Sequence, residues 1–233
     1  MISFLFDVDG TLTPARKKME EDFKRFFGFW VNNQHERGNR VFLVTGSDKE
    51  KTKSQIGLAL WRLAAGCYQN CGNQLYIRGR LREESSWEPS DELRSNIARA
   101  VESSVWYCRA ENNLEERAGM ANMSTVGRSA SPVLRKEYFE WDKKHREREE
   151  IARLLSQKHP ELEFAIGGEI SIDIYPKGKD KSQVLSDMFG RTVFFGDRCG
   201  TSGNDYHISQ KADEYHHVKD PNDTRQILET IYG

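Results

Sequence analysis

Three stretches of this chain are apolar almost without interruption: Ile2-Ser3-Phe4-Leu5-Phe6, Val41-Phe42-Leu43-Val44 and Val193-Phe194-Phe195. A strand with one wet face alternates apolar and polar residues. An unbroken apolar strand is covered on both sides, as in a parallel sheet wrapped by helices. Each run stops abruptly in small polar residues, at Asp7-Val8-Asp9-Gly10-Thr11, Thr45-Gly46-Ser47-Asp48 and Gly196-Asp197. Between the first two runs, Met19 to Gln34 carries Phe23, Phe26, Phe27 and Trp30 at helical spacing. A second helix is expected over 49–64, and 220–232 reads as a closing helix with Ile227, Leu228 and Ile231. Strand, helix, strand, helix makes the fold class α/β with a parallel sheet.

The middle of the chain has another character. Residues 73–82 read as a short hairpin or strand with Gly79 in the turn. Ser90 is a suitable N-cap for a helix whose Leu93, Ile97, Val101 and Val105 recur at i, i+4. Residues 119–129 are strand-like, 136–157 read as one exposed helix, and Ile170 to Tyr175 alternate as in an antiparallel strand. The expected organisation is therefore a core built from 1–77 and 181–233, with an α+β domain inserted over 78–180. A length of 233 residues suits this, being more than one domain of ~150 residues and less than two.

Composition excludes several classes. Lys+Arg total 35 and Asp+Glu 36, a balance unlike the basic excess of a nucleic-acid binder. Twelve Phe, eight Tyr and five Trp argue against disorder. No apolar run approaches the ~18 residues of a membrane span, and the start turns acidic too early for a signal peptide. Cys67, Cys71, Cys108 and Cys199 form no zinc-like pattern and read as reduced thiols, which points to a cytoplasmic location.

The chemistry concentrates at the strand ends, where open α/β sheets bind ligands. Asp7 and Asp9 stand two residues apart just past the first strand. One carboxylate can attack phosphorus while the other moves a proton. Their joint charge would repel a phosphate unless a hard cation such as Mg2+ lay between them. Thr45 and Asp197 end the other two runs, and Lys181 opens a helix after a loop. A hydroxyl and an ammonium both suit a phosphoryl group in transfer.

Asp7-Val8-Asp9-Gly10-Thr11, Thr45, Lys181 and Gly196-Asp197 with Asn204-Asp205 resemble the four signatures of the haloacid dehalogenase superfamily. The finer resemblance is to the eukaryotic-type phosphomannomutase family. It is carried by 6–16, Gly46-Ser47-Asp48, 119–124, Gly127-Arg128-Ser129, 167–173, 194–197 and Gly203-Asn204-Asp205, in family order. It implies a Rossmann-like haloacid dehalogenase core with an α+β cap, and an isomerase that works through an aspartyl-phosphate. By resemblance, Asp7 is the nucleophile, Asp9 the acid/base, and Thr45 and Lys181 phosphate-binding catalytic residues. Asp7, Asp9 through its backbone carbonyl, and Asp197 hold Mg2+. Arg16, Arg117, Arg128, Arg135, Ser171 and Asp173 match the substrate-binding positions. The chain departs from the family pattern at Ala118, Thr125, Lys179 and Lys211, and Thr45-Gly46-Ser47-Asp48 follows the wider superfamily form.

The implied reaction interconverts mannose 6-phosphate and mannose 1-phosphate, supplying GDP-mannose synthesis, with a hexose 1,6-bisphosphate as activator. Mannose phosphates are the expected substrates, with glucose phosphates as the alternative. A homodimer through the cap is implied, to which Leu93, Ile97, Val101, Val105 and Trp106 would contribute. The rival reading is a sugar-phosphate phosphatase of the same superfamily. It needs no second phosphate site, so the arginines of the middle block discriminate. Guanidinium groups bind phosphate oxygens in pairs and keep their charge.

Overall fold

The computed structural model describes residues 1–201 and 203–233. The strands in chain order are β1 (Ile2–Phe6), β2 (Arg40–Val44), β3 (Gly66–Gln69), β4 (Gln74–Ile77), β5 (Arg80–Glu84), β6 (Leu114–Arg117), β7 (Met120–Met123), β8 (Leu162–Gly167), β9 (Ser171–Pro176), β10 (Arg191–Gly196) and β11 (Glu214–His217). The helices are α1 (Glu21–Glu36), α2 (Lys49–Ile56), α3 (Leu58–Leu63), α4 (Asp91–Glu102), α5 (Pro132–His145), α6 (Glu147–Lys158), α7 (Tyr206–Lys211) and α8 (Pro221–Ile231).

The chain divides into two compact units. The core unit holds 1–84, 179–201 and 205–233, and the inserted unit holds 85–178 with the described residues of 202–204. The core sheet has the order β11-β10-β1-β2-β3-β4-β5. β11, β10, β1, β2 and β3 run parallel, while β4 and β5 form an antiparallel hairpin at one edge. Successive side chains of β1 feed opposite faces. Phe4 and Phe6 join a core with Phe27 and Trp30 of α1 and Leu228 of α8, and Leu5 joins Val184, Phe194 and Ile208 on the other side. The Phe6 and Phe195 rings stack with centroids 4.6 Å apart across the β1–β10 pair.

The insertion was expected over 78–180. The chain divides instead at 84/85 and 178/179, because β5 is hydrogen-bonded to β4 and completes the core sheet. The helix expected over 49–64 is two helices, broken at Gly57, whose φ of 85° lies outside helical space. The long helix over 136–157 likewise breaks at Arg146, which adopts the left-handed conformation.

The inserted unit is a four-stranded antiparallel sheet of order β6-β7-β9-β8 with helices packed on it. Leu93, Ile97 and Val101 of α4 are buried there with Ala121, Ile172 and Leu155. The row expected at a dimer surface is thus largely consumed inside the unit. Only Val105, past the end of α4, is exposed, while Trp106 is buried in a small cluster with Tyr138.

Candidate active site

Asp7, Thr45 and Asp197 directly follow β1, β2 and β10, so three neighbouring parallel strands deliver them to one end of the sheet. Between Asp7 and Thr13 the chain makes a tight turn, with Gly10 N–H donating to Thr13 O at 2.7 Å. Gly10 has a φ of 88°, and a Cβ there would overlap Asp197 Oδ2. Only glycine meets both demands.

Lys181 begins a 3-10 turn over Lys181–Asp187 and is almost fully buried. Its ammonium donates to Asp7 Oδ1 at 2.5 Å and to Asp205 Oδ1 at 2.6 Å. Asp205 also accepts from Arg198 N–H at 3.1 Å. Carboxylate oxygens of Asp7, Asp197 and Asp205 lie within 4.8 Å of one another. Burial, reinforced by Asp205, pushes the Asp197 carboxyl up to about 7. Burial and the neighbouring acids also raise Asp7, against the pull of Lys181. One buried ammonium, with the Arg198 guanidinium 3.4 Å from the half-buried Asp197, faces three acids and leaves them short of positive charge. An all-oxygen donor set in that state suits a small hard divalent cation.

Asp9 is held differently. Burial would raise its carboxyl, but Lys51 overrides this and holds it at about 2. Lys51 Nζ lies 2.5 Å from Asp9 Oδ2, Ser47 Oγ donates to the same oxygen at 3.0 Å, and Gln55 Nε2 donates to Oδ1 at 2.9 Å. The backbone N–H of Arg16 adds a bond of 2.7 Å to Oδ1, while the Arg16 side chain is exposed. Thr45 is buried, and its Oγ1 accepts from Ser47 N–H at 3.1 Å.

The remaining expected residues lie in the inserted unit. Glu115 Oε1 accepts from Arg117 Nε at 2.9 Å, and Oε2 from Arg128 Nε at 2.8 Å. Arg128 Nη1 donates to Ser171 Oγ at 2.9 Å. Arg135 is buried and donates to the carbonyls of Ala130 and Arg128, so it supports the turn that carries Arg128. Asp173 pairs in register with Asn122, whose amide donates to it at 2.5 Å, and accepts from Asn204 at 3.2 Å. The buried Arg148–Asp142 pair, at 2.7 Å, aims Arg148 Nη1 at the carbonyls of Gly167 and Gly168 ahead of Ser171.

The structure therefore brings Asp7, Lys181 and Asp197 together in one cluster, with Asp9 and Thr45 in the adjoining loops. Arg117, Arg128 and Ser171 form a second, and Asp173 sits in its own amide network. Lys51, Gln55, Glu115 and Arg148 were missed as site residues, and Asp205 was read as part of a signature but given no role. Lys51 and Gln55 stand four apart on α2, a spacing that places two side chains on one helix face and was readable.

A model of eukaryotic phosphomannomutases matches residues 32–233. The chain belongs to the eukaryotic phosphomannomutase family. The phosphomannomutase of Saccharomyces cerevisiae is 35% identical over 98% of this chain and 93% of its own length. A probable phosphomannomutase of Caenorhabditis elegans is 34% identical, covering 97% and 94%. Among solved structures, a haloacid dehalogenase subclass IIB sugar phosphatase aligns with a TM-score of 0.60 at 15% identity, over 98% of both chains. An IMP-nucleotidase of Plasmodium falciparum aligns at 0.66 and 13%, covering all of this chain and 68% of that one. At these identities the likenesses show the fold alone, which this phosphomannomutase family member shares with the haloacid dehalogenase subclass IIB phosphatase.

Proposed function

We propose that this chain interconverts mannose 6-phosphate and mannose 1-phosphate, and so supplies mannose 1-phosphate for GDP-mannose synthesis. Asp7 Oδ attacks phosphorus and becomes an aspartyl-phosphate, regenerated from a hexose 1,6-bisphosphate. Lys181 and Thr45 hold the oxygens of the moving phosphoryl group. Asp9 is ionised at neutral pH and takes the proton of the accepting hydroxyl. Its contact with Lys51 weakens it as a base, so proton uptake requires that ammonium to shift toward the incoming phosphate. Asp7, Asp197 and the Asp9 carbonyl would hold Mg2+, with Asp205 beside them, and the cation would offset charge on the transferring group. Arg117 and Arg128, with Ser171, would grip the phosphate that is not reacting, while Arg16 and Asp173 contact the sugar phosphate.

The observation that carries this reading is the convergence of Arg117 and Arg128 beside Ser171. A phosphatase acting on a sugar monophosphate needs no second phosphate site. The test is turnover of mannose 1-phosphate with and without glucose 1,6-bisphosphate, with inorganic phosphate followed in parallel. Mannose 6-phosphate formed faster than free phosphate supports the mutase, and the reverse order replaces it with a sugar-phosphate phosphatase.

We also propose a cytoplasmic homodimer through the inserted unit. The exposed Val105 and Tyr107, just past α4, are among the apolar side chains that unit presents, with Val133 and Leu154. Sedimentation at micromolar concentration that shows monomer alone would refute it. No helix among the described residues is long and apolar enough to cross a membrane.

A further inference from the structure

We infer that Glu115 is the positioning residue of the phosphate-gripping arginines, its single carboxylate setting the spacing and orientation of both Arg117 and Arg128. The inference rests on the proposed function, because it takes these arginines to hold the non-reacting phosphate. Glu115 and Arg117 stand two apart on β6 and share one side of the strand. Arg128 arrives from beyond β7, so the two guanidinium groups reach the carboxylate from different segments. Each gives its Nε edge to a separate oxygen, at 2.9 and 2.8 Å. The arginine side chains are only 9% and 13% exposed. Two like charges brought this close with little water repel, and a shared anion between them removes that cost.

An exposed ion pair contributes little, and the neighbouring residue supplies the contrast. Glu116 points to the other side of β6 and makes a two-pronged contact with Arg94, at 2.7 and 2.8 Å. It carries the same charge one residue away and touches none of the expected ligand groups. Glutamine at 115 would offer one acceptor oxygen, and its NH2 would face the second guanidinium, donor against donor. The arginine pair would then lose its common anchor.

The test compares wild type with Glu115→Gln, Glu115→Asp, Glu116→Gln and Arg128→Ala. It measures KM and kcat for mannose 1-phosphate at fixed glucose 1,6-bisphosphate, hydrolysis of p-nitrophenyl phosphate, and melting temperature. Glu115→Gln is expected to raise KM roughly tenfold to a hundredfold, the size of loss that follows when a partner orienting a metal ligand is removed. Hydrolysis of p-nitrophenyl phosphate stays at the wild-type value, while the melting temperature falls somewhat, because the two guanidinium groups lose the anion that offsets their repulsion. Glu115→Asp restores part of the loss, and Glu116→Gln behaves as wild type. A KM for Glu115→Gln that is unchanged or lower overturns the inference, and a lower one would make Glu115 a competitor of the phosphate. Should Glu115→Gln melt early, Glu115→Asp decides: a wild-type KM overturns the inference and a raised one supports it. An Arg128→Ala defect beside a normal Glu115→Gln defeats this inference alone. An unchanged KM in Arg128→Ala defeats the underlying reading and this one with it.

Discussion

Lys181 Nζ lies 2.5 Å from Asp7 Oδ1 and shares its protons with Asp205 at 2.6 Å. The proposed nucleophile and its phosphate-binding cation are thus one buried unit, assembled from residues 174 apart in sequence. Asp7→Asn should abolish turnover while preserving the fold, because an amide cannot accept the phosphoryl group and Lys181 keeps Asp205. Turnover above about a tenth of wild type, a barrier loss under ~1.4 kcal/mol, would remove Asp7 from its role.

Lys181→Met should cost both activity and stability. It leaves Asp7 and Asp205 buried without their shared ammonium, and breaking a buried pair from one side typically costs about 3–5 kcal/mol. Denaturant unfolding of the metal-free protein measures it. A loss below about 1 kcal/mol would mean that the acids are held chiefly by other groups.

Gly10→Ala should inactivate the enzyme through Asp197. The added methyl meets a positive φ and the Asp197 carboxylate at once. Calorimetric titration with Mg2+ should show weakened binding before any large fall in melting temperature. Binding as tight as wild type would contradict the close approach.

Chelation should abolish turnover and Mg2+ should restore it, since Lys181 and the partly exposed Arg198 leave the cluster of Asp7, Asp197 and Asp205 short of positive charge. Full activity in excess chelator would refute the cation's part.

Arg128→Ala should separate two activities. Losing a charge-assisted contact costs ~1.5–3 kcal/mol, or roughly 10- to 150-fold in binding of the sugar phosphate. Hydrolysis of p-nitrophenyl phosphate, with no second phosphate, should persist. Equal loss of both would make Arg128 a support of the fold, and loss of neither would favour the phosphatase.

The sequence made the inner strands legible because burial on both faces leaves a continuous apolar run, as in β1, β2 and β10. It concealed the sheet's edges. β5 is exposed along its whole length and β11 reads Glu-Tyr-His-His, so neither carries that signature. Burial also redirected the α4 row, since a stripe at helical spacing looks the same whether it meets its own sheet or a partner. The strand-end acids were readable from their place after apolar runs. Glu115 was hidden because it lies in a polar stretch and acts on another side chain, which only the fold brings near; the helical spacing of Lys51 and Gln55 was legible, but not the Asp9 carboxylate they reach.

Strand β1 is flanked by β2 on one side and β10 on the other. During synthesis the first strand leaves the ribosome with only one of its two neighbours. The other, with the Asp197 that follows it, arrives after the whole inserted unit has been made. The inserted unit is almost contiguous and can fold on the emerging chain, whereas the core must wait with an apolar edge open. The interval in which this protein is most open to aggregation is therefore set by the time taken to translate the segment between β5 and β10. Slowing translation within that segment would lengthen the exposure.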